Sequence, residues 1–111
     1  MVRLGRAKDA VPYLDRAVIA DPNYSYTYAM RAEARAAAGN GRGALLDAAA
    51  ALMGDRKSPW SHYAEARAYQ ALGNRSAALA AVELAQSLHP QDKLIRSARD
   101  EILAMTLGSK I

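Results

Sequence analysis

The amino-acid sequence predicts an all-α protein built of antiparallel helix pairs that stack on one another. Ala supplies 26 of the 57 hydrophobic residues in a chain of 111, and Phe is absent. Because Ala favours helices but buries little area, helices rich in it must pack at close range. The second observation is an internal period of 34 residues. The third is that Gly-Asn and Xaa-Pro pairs interrupt the helical pattern at short intervals. Together these features are typical of repeated helix hairpins.

The internal period is clearest in the glycines, since Gly5, Gly39 and Gly73 are evenly spaced. Aligning residues 5–56 with 39–90 gives 12 identities in 52 pairs, whereas composition alone would give about 5. A single helix pair cannot bury its apolar face, so each pair must be stabilised by its neighbours. Six helices are predicted, at about 8–20, 25–38, 41–53, 59–72, 75–88 and 92–107.

The first helix contains Pro12, which would remove a backbone hydrogen bond in a helix interior. A start near Asp9 places this proline in the first turn, where it costs little. We therefore predict the later start.

The Gly-Asn pairs predict tight turns between helices. Gly39 and Gly73 each stand where a helix must end in a left-handed residue. Small residues recur on both sides at the predicted helix crossings, namely Ala32, Ala44, Ala51, Ala66, Ala78 and Ala85. Asn40 and Asn74 follow as N-caps of the next helix.

The prolines mark the remaining boundaries. Pro22 and Pro90 disfavour helix at the residue before them, and Pro59 suits a first helical turn behind a Ser58 cap. Asp92 is the predicted cap of the last helix.

With these features the chain resembles the tetratricopeptide repeat (TPR) family, whose 34-residue helix-turn-helix pattern has small and aromatic residues at fixed places. The resemblance covers nearly the whole chain as one domain. Residues 5–24 correspond to the second half of a repeat, 25–58 and 59–92 to two repeats, and 92–107 to a capping helix. The matching positions in the two repeats are Tyr28, Ala32, Gly39, Asn40, Ala44, Ala48 and Ala51, then His62, Ala66, Tyr69, Gly73, Asn74, Ala78, Val82, Ala85 and Pro90. The fold implied is a right-handed superhelical solenoid.

The middle repeat departs from the family pattern. Arg31 and Arg35 replace the usual Leu and Tyr, Ala48 replaces a bulky residue, and Arg56 replaces Pro. We expect this repeat to be the least well packed of the chain.

The two ends of the array are expected to differ. The first helix has no preceding helix to cover Ala10, Leu14 and Ala17, so we expect a longer repeat array or self-association through this face. At the other end, Asp100 takes a position that the family fills with a small residue, so the last helix is expected to act as a solvating cap. Leu103 and Leu107 would form an apolar outer edge.

The resemblance also implies a binding groove. In this family the second, fifth, ninth and twelfth positions of each repeat line the concave face. The groove residues carried over in this way are Tyr26, Ala29, Glu33, Ala36, Trp60, Tyr63, Arg67 and Gln70, with Ser97 and Glu101 extending the row. Aromatic residues and Arg are enriched at binding hot spots. The competing interpretation is that the aromatic side chains pack on adjacent helices and that Glu33 pairs with Arg67.

The expected partner is a protein or peptide. Family members that clamp the terminal carboxylate of a chaperone tail use a Lys and Asn set, but the corresponding places here hold Ala29, Glu33, Tyr63 and Arg67, so that clamp is not expected. A mixed aromatic and charged groove better suits an extended or helical peptide segment.

A basic helical-repeat module that binds RNA or an anionic surface is the alternative. The net charge is +4, but the basic residues are scattered and alternate with acids, which argues against nucleic acid. The residues that would carry this alternative are Arg31, Arg35, Arg67, Arg75, Arg96 and Arg99.

An enzyme is not expected, and no cofactor or metal is predicted. His62 and Glu65 could share one helical face, but His62 falls at an aromatic packing position of the family. The Gly-rich segment 39–43 lacks the Lys and Ser/Thr of a phosphate-binding loop. The sequence shows no membrane span and no secretory leader, so a cytoplasmic location is the expectation.

Overall fold

The computed structural model describes residues 4–105, which form six α-helices joined by short turns. The helices are α1 (Leu4–Ala20), α2 (Ser25–Ala37), α3 (Gly41–Gly54), α4 (Pro59–Ala71), α5 (Arg75–Leu88) and α6 (Lys93–Leu103). The order of the helices and the four central ones agree with the sequence prediction to within one residue at each end.

The helices stack in chain order. α2 packs on α3 and α4 packs on α5, while α2 and α3 both contact α4. α1 packs on α2, and α6 packs on α5 and touches α4. Within residues 4–105, each helix therefore contacts only helices next to it or next but one in the chain, which is the arrangement of an all-α solenoid.

The two Gly-Asn turns have the geometry that the sequence predicts. Gly39 and Gly73 have φ of 91° and 75°, in the left-handed region that a side chain disfavours. After each glycine, the Asn N–H donates back to a carbonyl five residues earlier, at 2.8 Å from Asn40 and 2.9 Å from Asn74. The Asn40 side chain then accepts from Gly43 N at 2.9 Å and caps α3.

The other predicted caps are also present. Ser58 Oγ accepts from Trp60 N at 3.2 Å, with Pro59 in the first turn of α4. Asp92 Oδ1 accepts from Ile95 N at 3.0 Å and begins α6.

Small residues occupy the helix crossings. The alanines predicted for these crossings are all fully buried, at 0% exposure: Ala32, Ala44, Ala51, Ala66, Ala78 and Ala85. Two adjacent cores result, one made largely of Ala between α2, α3 and α4, and one with Tyr63, Val82, Ile95 and Ile102 between α4, α5 and α6. Alanine at a crossing lets the helix axes approach closely.

The start of α1 differs from the prediction. The helix begins at Leu4 rather than near Asp9, so Pro12 lies in its interior and Gly5 lies inside the helix rather than in a turn. Pro12 cannot donate to the Lys8 carbonyl, which costs one helical hydrogen bond.

The last helix is shorter than predicted. α6 ends at Leu103 and is closed by a bond from Ala104 N to the Asp100 carbonyl at 3.0 Å. Leu103 is exposed, as expected of an outer edge, and Leu107 lies outside the described residues. At the opposite end, Ala10, Leu14 and Ala17 are partly exposed on α1.

Candidate functional site

A groove runs across α2, α4 and α6 and consists of two adjoining depressions. The larger has a volume of about 430 Å³ and is lined by Glu33, Ala36, Ala37, Tyr63, Arg67, Gln70, Ala71, Leu94, Ser97 and Glu101. The smaller, of about 30 Å³, is lined by Tyr26, Ala29, Met30, Glu33, Trp60 and Tyr63. We refer to both together as the groove. All eight residues that the resemblance placed in the groove on α2 and α4 line one depression or both.

Helical spacing explains why these residues share the groove. Trp60, Tyr63, Arg67 and Gln70 follow one another at intervals of three and four residues and so lie along one face of α4. The α2 residues repeat this spacing, and the two helices are in contact. Met30, Ala37 and Ala71 are lining residues that the sequence did not indicate, because each stands one position after a residue of the predicted row. Leu94 also lines the groove and was not predicted, although it stands one period of 34 residues after Trp60.

A polar network crosses the groove from α2 to α6. Tyr63 Oη donates to Glu33 Oε2 at 3.3 Å, and Arg67 Nε donates to Tyr63 Oη at 3.2 Å. Arg67 Nη1 donates to Gln70 Oε1 at 2.7 Å and to Glu101 Oε1 at 2.8 Å. The direct pairing of Glu33 with Arg67 that the sequence suggested as an alternative is therefore not observed, because the Tyr63 hydroxyl lies between the two charges.

The network raises the pKa values of Tyr63 and Arg67 and lowers the pKa of Glu101. Burial, with the negative charge of Glu33, raises the pKa of Tyr63, because the phenolate would be poorly solvated. The hydrogen bond from Arg67 lowers the pKa of Glu101. At neutral pH Tyr63 is thus a neutral donor and Glu101 a carboxylate.

The aromatic side chains of the groove differ in how deeply they are buried. Tyr63 is only 2% exposed, and its ring meets Trp60 edge to face with centroids 5.5 Å apart. Trp60 is half-buried and also meets His89 at 6.4 Å. Tyr26, in contrast, is 43% exposed. The packing interpretation thus describes Tyr63 well, whereas Tyr26 presents its side chain to solvent.

Comparison with solved structures finds the same arrangement of helices in two TPR domains. The TPR domain of Arabidopsis OM64 superposes with a TM-score of 0.75 at 22% identity, covering 88% of this chain and 81% of that one. The first TPR domain of human RPAP3 gives a TM-score of 0.79 at 22% identity, covering 96% and 83%.

This chain has the TPR fold. The similarity lies in the structure, since no protein-family model and no curated protein sequence matches the chain. Among residues 4–105 of this TPR fold, no helix is long and apolar enough to cross a membrane.

An ionic cluster that the sequence did not indicate lies between α1, α2 and α3 of the TPR fold. Arg31 donates to both carboxylate oxygens of Asp47, and its NH1 group donates to Asp15 at 2.8 Å. Arg35 adds a bond to Asp47 at 2.9 Å. The hydrogen bond to Asp47 raises the pKa of Arg31. The sequence did contain a signal for this cluster. Asp47 stands one 34-residue period before Ala81, which is buried, so the repeat predicts a buried position for Asp47 as well.

This cluster shows how the middle repeat, which the sequence predicts to be the least well packed, accommodates Arg31 and Arg35. The Arg31 and Arg35 side chains pair with Asp47 rather than entering the neighbouring alanine core, in which Ala32, Ala44 and Ala48 are fully buried.

His62 and Glu65 form no pair in the structure. His62 Nε2 lies 2.7 Å from the Arg56 carbonyl, which assigns the proton to Nε2. In the described part of the chain no group of three or more His, Cys, Asp or Glu side chains is placed to hold a metal ion. His62 therefore ties α4 to the turn before it.

Proposed function

We propose that this protein is a non-enzymatic interaction module that binds a peptide or protein segment in the groove. The observation that carries the proposal is the groove itself, a depression of about 430 Å³ across three helices with a smaller aromatic depression beside it. Grooves between helices that combine apolar walls with a few fixed polar groups suit segments of another chain.

The proposal includes the division into repeats. α2 with α3 and α4 with α5 would be the two repeats at 25–58 and 59–92, α1 the second helix of a preceding repeat, and α6 the cap. In this division the groove lies on the first helix of each repeat, continued by α6, and the fully buried alanines lie between helices.

The groove offers fixed polar groups toward its α6 end. Ser97 and Glu101 of α6 line it there, and Arg67 of α4 pairs with Glu101. The polar network fixes the Arg67 and Glu101 side chains before a partner arrives, which lowers the entropic cost of binding.

The RNA-binding alternative loses support from the ion pairs. Of the six arginines that would carry it, Arg31, Arg35 and Arg67 pair with carboxylates, and Arg75 donates to the Leu103 carbonyl at 3.2 Å. A guanidinium that is already paired gains less from a phosphate, because the existing pair must first be broken.

The test is a comparison of captured partners with matched variants. The double variant Tyr26→Ala/Gln70→Ala removes two side chains that line the groove, at little cost to the core. The control is Tyr13→Ala/Gln86→Ala, which removes the same two types of side chain outside the groove. Each bait is cross-linked in extract at 50 and at 200 mM salt, and the captured molecules are identified by mass spectrometry.

We expect a protein that the parent and the Tyr13→Ala/Gln86→Ala variant retain at both salt concentrations and that the groove variant loses. A partner retained equally by all three would place the binding surface elsewhere. Nucleic acid retained by all three at 50 mM and lost at 200 mM salt would favour the basic alternative, because phosphate contacts weaken steeply with salt.

A further inference from the structure

We propose, on the basis of the proposed groove function, that the partner segment carries a lysine whose ammonium group binds the Glu33 carboxylate in the smaller depression. The proposal rests on three features of the groove, which are its charge, its aromatic wall and its size.

The charge of the groove opposes that of the whole chain. The chain carries +4, whereas the charged residues that line the groove are two carboxylates, Glu33 and Glu101, and one guanidinium, Arg67. Arg67 is paired with Glu101 at 2.8 Å. Glu33 forms no ion pair with any residue between 4 and 105, and its single side-chain partner there is the Tyr63 hydroxyl at 3.3 Å. One negative charge in the groove is thus left for a partner to balance.

The position of Glu33 determines which side of the groove the cation takes. The Arg67 guanidinium lies over the Tyr63 ring, 5.4 Å from its centroid, and lines the larger depression but not the smaller one. A cation that approaches through the larger depression therefore meets the positive charge of Arg67. Glu33 is shared between the two depressions, and on the other side it lines the smaller one together with Tyr26 and Trp60. An incoming cation therefore meets Glu33 from the side of these two aromatic residues.

The wall of the smaller depression suits a cation on an aliphatic stem. Tyrosine and tryptophan rings attract a cation through the negative charge of their faces. Ala29 and the half-exposed Met30 complete the lining with apolar surface, against which the methylene groups of a lysine would pack. A carboxylate of the partner in the same depression would be repelled by Glu33, because no cationic side chain among residues 4–105 lines this depression.

The size of the depression favours lysine over arginine. At about 30 Å³ it is far smaller than the neighbouring depression of about 430 Å³, and Glu33 Oε2 already accepts from the Tyr63 hydroxyl. An ammonium group is a compact charge that a single carboxylate oxygen can bind, whereas a guanidinium is a larger planar group that pairs best with both oxygens. The backbone of the segment would then lie in the larger depression beside it, which Glu33 and Tyr63 also line.

The test uses four octapeptide libraries that differ only in one fixed central residue. That residue is Lys, Arg, norleucine or Glu, and every other position holds an equal mixture of Ala, Leu, Ser, Gln and Tyr. Trp60 is the single Trp of the chain, so its fluorescence and its indole N–H resonance report on this site alone. Glu33→Gln removes the charge and keeps an acceptor oxygen for Tyr63, and Glu83→Gln makes the same change on the exposed side of α5.

We expect the Lys library to bind about 5- to 20-fold more tightly than the norleucine library, with Arg between them. Glu33→Gln should remove this preference without changing norleucine binding, and Glu83→Gln should change neither. Equal binding of the Lys and norleucine libraries would overturn the lysine proposal while groove binding stands. Tightest binding of the Glu or the Arg library would also overturn it. If no library moves the Trp60 signals, the groove function itself is wrong.

Discussion

Arg31 holds the carboxylate of Asp47 with two hydrogen bonds, from Nε to Oδ2 at 3.0 Å and from Nη2 to Oδ1 at 2.8 Å. The two residues lie on α2 and α3, 16 positions apart, and Asp47 is only 4% exposed. Arg35 donates to the same carboxylate and Asp15 accepts from Arg31, so charge is balanced within the cluster. A polar group at this depth is tolerated because each side-chain oxygen of Asp47 has a charged donor.

Asp47→Asn should therefore destabilise the fold. The substitution leaves Arg31 and Arg35 partly buried without their main counter-charge, which we expect to cost about 2–4 kcal/mol in the free energy of unfolding. Urea denaturation followed by circular dichroism measures the change. Asp100→Asn, at an exposed position of α6, is the matched control and should stay within about 0.5 kcal/mol of the parent. An equally small effect of Asp47→Asn would show that the cluster does not stabilise the protein.

Ala66→Leu should destabilise through overpacking. Ala66 is fully buried at the crossing of α4 with its neighbours, and added methyl groups must push the helices apart. The expected cost is about 1–3 kcal/mol. Ala80→Leu places the same side chain on the exposed face of α5 and should have little effect. Thermal unfolding of the two variants compares them directly, and equal midpoints would contradict the assignment of Ala66 to a crossing.

Glu101 should make stability dependent on acid pH. The hydrogen bond from Arg67 holds the pKa of Glu101 below its ordinary value of 4.5, so the unfolded chain takes up this proton at a higher pH than the folded one. The contribution is fully present above pH 4.5 and is lost as the pH falls through the lower, folded value. Because Glu101 is exposed and screened by solvent, we expect less than about 1 kcal/mol.

Urea denaturation of the parent and of Glu101→Gln at pH 7 and pH 3 checks this. The parent should be the more stable at pH 7, and the difference between the two should shrink at pH 3. A difference of the same size at both pH values would rule out the carboxylate as its source. Glu83→Gln, which removes an exposed carboxylate from α5, should give no such trend.

Gly39→Ala should destabilise through the backbone alone. A Cβ at Gly39 would meet no atom within 4 Å, so the cost comes from its φ of 91° rather than from a clash. We expect about 1–2 kcal/mol in chemical denaturation. Gly39→Asn should recover part of this loss, because Asn tolerates left-handed backbone better than Ala. If Ala were tolerated as well as Asn, the turn would have to adopt another conformation.

Much of the groove could be predicted from the sequence because its residues follow from helical register. Once Gly39 and Gly73 fix where the helices end, the family's groove positions can be counted along α2 and α4, and all eight residues so placed line the groove. Counting could not show which of these side chains remain accessible. Tyr63 is almost fully buried, with its ring against Trp60, whereas Tyr26 is half-exposed.

The sequence by itself determined the helices, their caps and the 34-residue register, because Gly39, Asn40, Ser58 and Asp92 act on backbone groups within a few residues of their own position. Only the tertiary structure decided which charges meet. Asp47 binds arginines on another helix, and Tyr63, which stands 30 residues after Glu33 in the chain, separates Glu33 from Arg67. The physical reason is that a side-chain bond between helices depends on how the helices are placed against one another, which no local pattern specifies.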